Sequence, residues 1–526
     1  MNLNDALGET WDAIIIGTGI GGGMAGRRLA ERGLRVLFVE QGPAGYRTEE
    51  AALNSDMFDP VARQIRGFWP TPMQARINGR DSQFFGPIGG GVGGSSVFYA
   101  ATLERPEPHD LDDSADKPHP IQGWPVTHAQ MRPYFDQAED LFSVGGDPDP
   151  LAAFASTALR DPAPMSQSDQ AMKQRLSARG LHPYQLHAAL RRIKGCKSCL
   201  GFKCPKTCKM DGRSAGVEPA LETGRAALLD RCAVRRLKAK NGRITGVVAE
   251  RDGDVVTLSA GIVILAAGAF GSPRLLLASQ PGGLANRNGM VGCNLMFHLN
   301  EMIAVWPGKS VAADGPSKSL GFRDLYHVDG TRLGMVQAMG IEVSYGEIVH
   351  YLKQLIEKSS LHRFRLLKEL TRIPALIAAK LFGNAQVFVG LMEDLPYAEN
   401  RVLLDPHDPD AIRFDYTISK ELLTRRRKFR RLIRQAFTGH RRMFLGFQPE
   451  LNFGHPCGTL RFGADPETSV LDPDCRAHEL ENLYVADASI FPTSMGVNPS
   501  LTIAANALRV ADQIADQFER KTDAAE

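Results

Sequence analysis

The sequence predicts an α/β protein of two lobes: a Rossmann-like, dinucleotide-binding lobe that is discontinuous in sequence, and a second α+β substrate-binding lobe. Three observations carry this. From Asp12 the chain reads strand, glycine turn, helix, strand (DAIIIG, TGIGGG, MAGRRLAERG, LRVLFVEQG), one mononucleotide-binding βαβ unit. Residues 233–267 alternate apolar and polar positions around Asn241-Gly242 and Asp252-Gly253, then end in an apolar strand, Ile262 to Ala267, where the first lobe resumes. From about Asn300 to Gly446 no chemical motif occurs, and strand-like runs such as Ala385 to Leu391 mix with basic helices.

Composition agrees with a globular chain. Its 526 residues, 43% apolar and 23% charged, suffice for a large core in more than one lobe. The formal charge of +3 gives no reason to expect nucleic acid as a partner. The N-terminus has no basic segment before its first apolar run, and the apolar region near Ile373 to Phe382 is broken by Pro374 and Lys380. We therefore expect no signal peptide, no transmembrane segment and a cytoplasmic location. Eight cysteines in so long a chain do not form a disulfide scaffold.

In chain order, Gly17-Thr18-Gly19-Ile20-Gly21-Gly22 opens the first helix. Gly17 permits the tight turn, Gly19 lets backbone approach a diphosphate, and Gly22 allows helix and strand to pack closely. The helix N-terminus favours the anion, and Glu40, ending the second strand, would accept from the ribose hydroxyls. Helices are expected over Gln130–Phe142 and Ser166–Gly180, after a polar loop from Glu104 to Pro125. Ile348, Leu352, Leu355 and Ile356 share one helical face, and Phe429, Leu432, Ile433 and Ala436 another, the second surrounded by Arg425, Arg426, Arg427, Lys428 and Arg430. Both helices are expected to pack on the core with solvated charges rather than dock on a membrane.

Further segments resemble the glucose-methanol-choline (GMC) family of flavoprotein oxidoreductases. Gly91-Val92-Gly93-Gly94-Ser95-Ser96 is similar to its first signature and Gly268-Ala269-Phe270-Gly271-Ser272-Pro273 to its second. His455-Pro456-Cys457-Gly458-Thr459, Asn482 to Ser489 and Val497-Asn498-Pro499-Ser500 are similar, in order and spacing, to its closing region. The resemblance implies an FAD-binding lobe, with Gly93, Gly94, Ser95, Val234, Asp487, Ala488 and Asn498 beside the cofactor. One segment departs from the family: Val97-Phe98-Tyr99-Ala100 stands where an Asn-Gly pair is usual, and Tyr99 is expected as a buried structural aromatic.

The resemblance further implies oxidation of an alcohol, polyol or sugar hydroxyl to a carbonyl by hydride transfer to flavin N5. An alcohol is a poor hydride donor until its hydroxyl proton is leaving, so a base is required. Histidine titrates at about 6.5, close to working pH. His455 would be that base and Asn498 would hold the same oxygen without titrating. His298 and His478 lack such context and are expected to be structural or surface residues.

Cys196, Cys199, Cys204 and Cys208 form C-x2-C-x4-C-x3-C in the lysine-rich loop 195–209. Such spacing can close around a metal or an iron-sulfur cluster, as in some dehydrogenases of the family; free thiols or one disulfide are the alternatives. A cluster would pass electrons to an acceptor protein. Cys232, Cys293, Cys457 and Cys475 are read as packing residues. The expected organisation is residues 1–299 and 447–526 for the FAD lobe and 300–446 for the substrate lobe. Rival readings are a flavoenzyme of this fold with a non-oxidative or photochemical reaction, and an electron-transfer subunit using the cysteine loop.

Overall fold

The structure, a computed structural model, describes residues 1–45, 47, 59–191, 193–194, 196, 199–307, 318–340, 349, 352–353, 356, 363–382, 385–408 and 410–523. The elements that frame the site are, in chain order, β1 (Trp11–Ile16), α1 (Ile20–Glu31), β2 (Val36–Val39), β3 (Ala226–Leu229), β4 (Ala260–Leu265), α2 (Gly268–Ser279), β5 (Met296–Trp306), β6 (Leu320–Phe322), β7 (Gly334–Ala338), α3 (Arg365–Leu370), α4 (Arg372–Phe382), β8 (Gln386–Met392), α5 (Lys420–Ala436), β9 (Arg441–Phe444), β10 (Glu450–Cys457), β11 (Leu483–Val485) and α6 (Ser500–Asp523).

A five-stranded parallel sheet runs in the order β11-β4-β1-β2-β3. Buried on both faces, β1, β2 and the carboxyl half of β4 read as near-continuous apolar runs, as parallel strands must. Strand β1 lies between β2 and β4, so connections leave it on opposite sides and open a crevice at its carboxyl end. Strand β11, supplied from near the chain end, completes the sheet beside β4. The expected hairpins appear as Ala233–Lys240, Arg243–Arg251 and Asp254–Leu258, three antiparallel strands leading into β4.

A second, antiparallel sheet has the order β9-β5-β8-β7-β6 and ends on the short strand Tyr184–Gln185, with β10 also pairing β5. Leu422, Phe429 and Ile433 of α5 are buried in a core with Phe388 and Met392 of β8, so this helix covers one face of that sheet. Its charges are less solvated than expected. Arg425 and Arg426 are buried: Arg426 and Arg430 both engage the buried Glu301 of β5, and Arg425 donates to the Glu393 carbonyl at 2.6 Å. Pairing, not exposure, satisfies these cations. Of the other helical face, Ile348 and Leu355 lie outside the described residues. A four-stranded sheet over Met73–Ile77, Arg80–Phe84, Arg401–Leu403 and Arg413–Tyr416 closes an aromatic core of Phe270, Phe297, Phe414 and Phe453 between the layers. Among the described residues, no helix is long and apolar enough to cross a membrane.

Candidate active site

A cavity of about 500 Å³ runs from the carboxyl ends of the parallel strands to the face of the antiparallel sheet. It collects residues from both ends and the middle of the chain: Gly17, Gly19, Glu40, Gly94, Ser95, Val234, His455, Asp487, Ala488 and Asn498 all line it. Gly93 and Gly22 stand just behind. Gly93 N–H donates to Thr18 Oγ1 at 3.2 Å, joining the two glycine segments. A Cβ on Gly22 would lie 2.2 Å from the Gly17 carbonyl oxygen, and Gly17 itself has φ +102°, so helix and turn close only with glycine at both places.

Both acidic residues assigned to the cofactor are held by their own surroundings. Glu40 is buried and accepts from Thr18 Oγ1 at 2.7 Å and from the Thr18 and Gly42 N–H groups at 3.2 and 3.0 Å. Burial raises its pKa above the ordinary carboxylate value, and those hydrogen bonds oppose the shift. Asp487 accepts from Ser272 Oγ at 2.5 Å, Gly268 N–H at 2.9 Å and Ser489 N–H at 2.8 Å, tying β11 to the start of α2. Asn498 Oδ1 is a buried polar atom with no hydrogen-bond partner among the described residues.

His455 is pushed forward by a break in strand pairing. Along β5 and β10 the register jumps from His298–Asn452 to Met296–Cys457, so Phe453 to Pro456 bulge out of the ladder. His455, in that bulge, faces the cavity. Its Nδ1 lies 3.1 Å from His298 Nδ1 and 3.2 Å from Asn452 Nδ2, while Asn452 Oδ1 accepts from Gly454 N–H at 3.1 Å. Burial first, then the charges of His298 and Lys318, lower the His455 pKa well below its ordinary 6.5.

His298, expected as a structural or surface residue, is fully buried and meets His455 edge to face, ring centroids 5.1 Å apart. Its Nε2 lies 3.0 Å from the Met495 carbonyl oxygen, and burial lowers its pKa to about 4. Its place directly opposite Asn452 on a neighbouring strand is a long-range pairing, which no local pattern in the sequence announces. His478 makes a 3.0 Å hydrogen bond with Ser469 Oγ and does not line the cavity.

Other groups escaped the sequence reading. Asn300, Gln337 and Lys318 line the same cavity beside apolar Met339, Val389 and Leu391. Asn300 Oδ1 and Gln337 Oε1 are buried without a partner among the described residues. Tyr99 lines the cavity as well as being anchored, its hydroxyl donating to the Met210 carbonyl.

The metal or iron-sulfur expectation for Cys196, Cys199, Cys204 and Cys208 is not supported. Cys204 Sγ lies 3.3 Å from Cys208 Sγ, Cys199 touches Cys204, and Cys196 touches Cys208, so the thiols meet in a chain. Among the described residues no group of three or more His, Cys, Asp or Glu side chains is placed to hold a metal ion. The loop already contains a cation. The buried Lys209 ammonium donates to the carbonyls of Val97, Tyr99, Cys199 and Phe202, at 2.9, 3.3 and 2.8 Å for the first three.

Comparison with known proteins agrees with this geometry. Family models described as GMC oxidoreductase match residues 12–300 and 396–507. The chain is 28% identical to 6'''-hydroxyparomomycin C oxidase of Streptomyces lividus, over 97% of this chain and 92% of that one. It is 26% identical to 2-methyl-1,2-propanediol dehydrogenase of Mycolicibacterium austroafricanum, over 97% and 96%. Two solved structures share the fold: pyridoxine 4-oxidase from Mesorbium loti (TM-score 0.63, 20% identity, 96% of this chain and 99% of that one) and formate oxidase from Aspergillus oryzae (TM-score 0.68, 15% identity, 97% and 99%). With both halves of the family pattern matched and the glycine turns, His455 and Asn498 gathered on one cavity, the chain belongs to the GMC oxidoreductase family of FAD-dependent enzymes.

Proposed function

We propose that the enzyme oxidises a hydroxyl group of a small alcohol, polyol or sugar to a carbonyl, with His455 as base and Asn498 as the group that holds the reacting oxygen. FAD fits the cavity: a glycine-walled turn at the end of β1, a helix N-terminus with no side-chain cap and an Asn498 Oδ1 without a partner among the described residues provide the setting its diphosphate and ring require. Gly17, Gly19, Gly94, Ser95, Glu40 and Val234 would hold its dinucleotide part, with Asp487, Ala488 and Asn498 toward the ring. Bound FAD supplies the two-electron acceptor.

The observation that carries the reading is the hydrogen-bond chain behind His455. The Met495 carbonyl can only accept, so His298 carries its proton on Nε2 and presents a bare Nδ1. His455 Nδ1–H donates to it, which leaves the lone pair on His455 Nε2 for the substrate proton. The other arrangement, with Asn452 donating to a bare His455 Nδ1, would set two lone pairs against each other at 3.1 Å. Asn498, uncharged, positions the hydroxyl oxygen at any working pH. The Asn300 and Gln337 amides can hydrogen-bond further hydroxyls while Met339, Val389 and Leu391 cover the carbon skeleton. Similarity to an aminoglycoside oxidase and a diol dehydrogenase supports a hydroxylated small molecule.

The test is anaerobic mixing of the holoenzyme with a panel of diols and sugars while flavin absorbance is followed. At least one should bleach the flavin, and His455→Ala should slow that bleaching by about 10²- to 10⁴-fold with FAD content unchanged. An unchanged rate in the variant would remove His455 from the chemistry.

A further inference from the structure

Of sixteen exposed large apolar side chains among the described residues, six fall within the fourteen residues from Phe364 to Ile377, and these are between 49% and 77% exposed. Four of the six share one helical face. Leu366, Leu370, Ile373 and Ile377 recur at steps of four, three and four along α3 and α4, which is one helical stripe. The stripe faces outward, whereas Thr371 and Ala375, on the opposite side, are buried. A helix that packs on a protein core turns its large apolar residues inward. Here small residues face the protein and large apolar ones face out.

Charge identifies the occupant. Over the whole chain 62 basic residues nearly balance 59 acidic ones, but residues 363–382 hold Arg363, Arg365, Lys368, Arg372 and Lys380 against Glu369 alone. That one carboxylate is occupied, by Arg372 at 2.8 Å and Lys353 at 3.3 Å. A second copy laid face to face on this patch would bring like charges together. An anionic lipid surface would instead meet the cations with phosphates and the apolar stripe with acyl chains. The helices are too short to span a bilayer, so the geometry is one of lying in the interface.

We propose that residues 363–380 dock the enzyme on an anionic lipid surface, with Leu366, Leu370, Ile373 and Ile377 entering the boundary between headgroups and acyl chains, and Arg363 and Lys380 meeting lipid phosphates. The next strand in the chain is β8, whose Val389 and Leu391 line the substrate cavity. Docking therefore anchors the enzyme through the segment that leads into the cavity's own wall, and it is independent of which hydroxyl is oxidised.

Flotation of the full-length holoenzyme with vesicles tests this. The protein should float with phosphatidylcholine vesicles containing phosphatidylglycerol, much less with phosphatidylcholine alone, and less again in high salt. Ile373→Glu with Ile377→Glu should lower the bound fraction about tenfold or more. Because both side chains are exposed, FAD content and the thermal midpoint should not move. Three results would overturn the proposal: wild-type protein that stays unbound in the presence of phosphatidylglycerol, a double variant that floats as well as wild type, or a wild-type dimer that the two substitutions split into monomers in sedimentation velocity.

Discussion

His455 and His298 meet nitrogen to nitrogen, their Nδ1 atoms 3.1 Å apart, across a break in the pairing of β5 and β10. Two imidazoles can share that contact only if one donates and the other accepts, so the carbonyl behind His298 governs which nitrogen of His455 is free. In the proposed mechanism His298 positions the base, and replacing it separates this role from packing. His298→Leu should lower the rate of substrate-driven flavin reduction roughly 10- to 100-fold, part of what a positioned base contributes, with little change in substrate affinity. His298→Gln, whose side-chain carbonyl can still accept from His455 Nδ1–H, should recover much of the loss. Equal rates in the two variants would show that only volume matters at this position.

The acid limb of the pH–rate profile should fall well below the usual histidine range. The role proposed for His455 requires a neutral imidazole, and burial together with the charges of His298 and Lys318 lowers its pKa from 6.5. The active form therefore already dominates at pH 6.5 and is lost only as pH falls through the lowered value. Measured as kcat/KM against pH with a substrate that does not titrate, the profile should be flat across pH 6 to 7 on about the scale set by an ordinary histidine. A limb centred near 6.5 would mean that the imidazole is solvated in the working enzyme.

Acid should also weaken the fold itself through histidines buried in neutral form. The pKa values of His298, His128 and His109 are lowered by burial to about 4, about 4 and about 3, against 6.5 when unfolded. Between those values the unfolded chain binds more protons than the folded one, so stability is complete above pH 6.5 and declines as pH falls. For His298 alone the integrated loss is roughly 3 kcal/mol. Thermal midpoints from pH 7.5 to pH 4.5 should fall for wild type, and His298→Gln should flatten the curve in that range.

Much of the cofactor lobe is legible in the sequence because its constraints are local. A glycine at Gly17 is needed by a turn with φ +102°, and Gly22 by a carbonyl from the same turn, so both show as a motif. The hairpins of residues 233–258 show as turn dipeptides between alternating runs. The groups that complete the site are set by tertiary pairing instead. His298 faces Asn452 from a strand more than a hundred residues away, and Asn300 on β5, Gln337 on β7 and Lys318 just before β6 reach one cavity only because β5, β8, β7 and β6 lie side by side. The cysteine loop misleads for a similar reason. Four thiols close in sequence suggest a metal, while the cation among them is Lys209, placed by backbone carbonyls from two separate segments.

Lys209 should therefore matter more to stability than any single cysteine of the loop. Its ammonium satisfies the carbonyls of Val97 and Tyr99, which follow the first glycine signature, and those of Cys199 and Phe202 in the loop. Lys209→Met keeps most of the volume but takes the donor from the Val97 and Phe202 carbonyls, while those of Tyr99 and Cys199 keep the N–H groups of Gly201 and Phe202, an expected cost of roughly 2–4 kcal/mol. Because Ser95 and Tyr99 line the cavity beside that contact, FAD retention should drop in the same variant. Cys204→Ser keeps a small hydrogen-bonding atom where the sulfur meets the Lys206, Cys208 and Lys209 backbone, and should shift the unfolding midpoint far less. Denaturant unfolding of the two variants, with FAD release followed by fluorescence, compares them directly; a larger loss from Cys204→Ser would return the loop's organisation to its sulfur atoms.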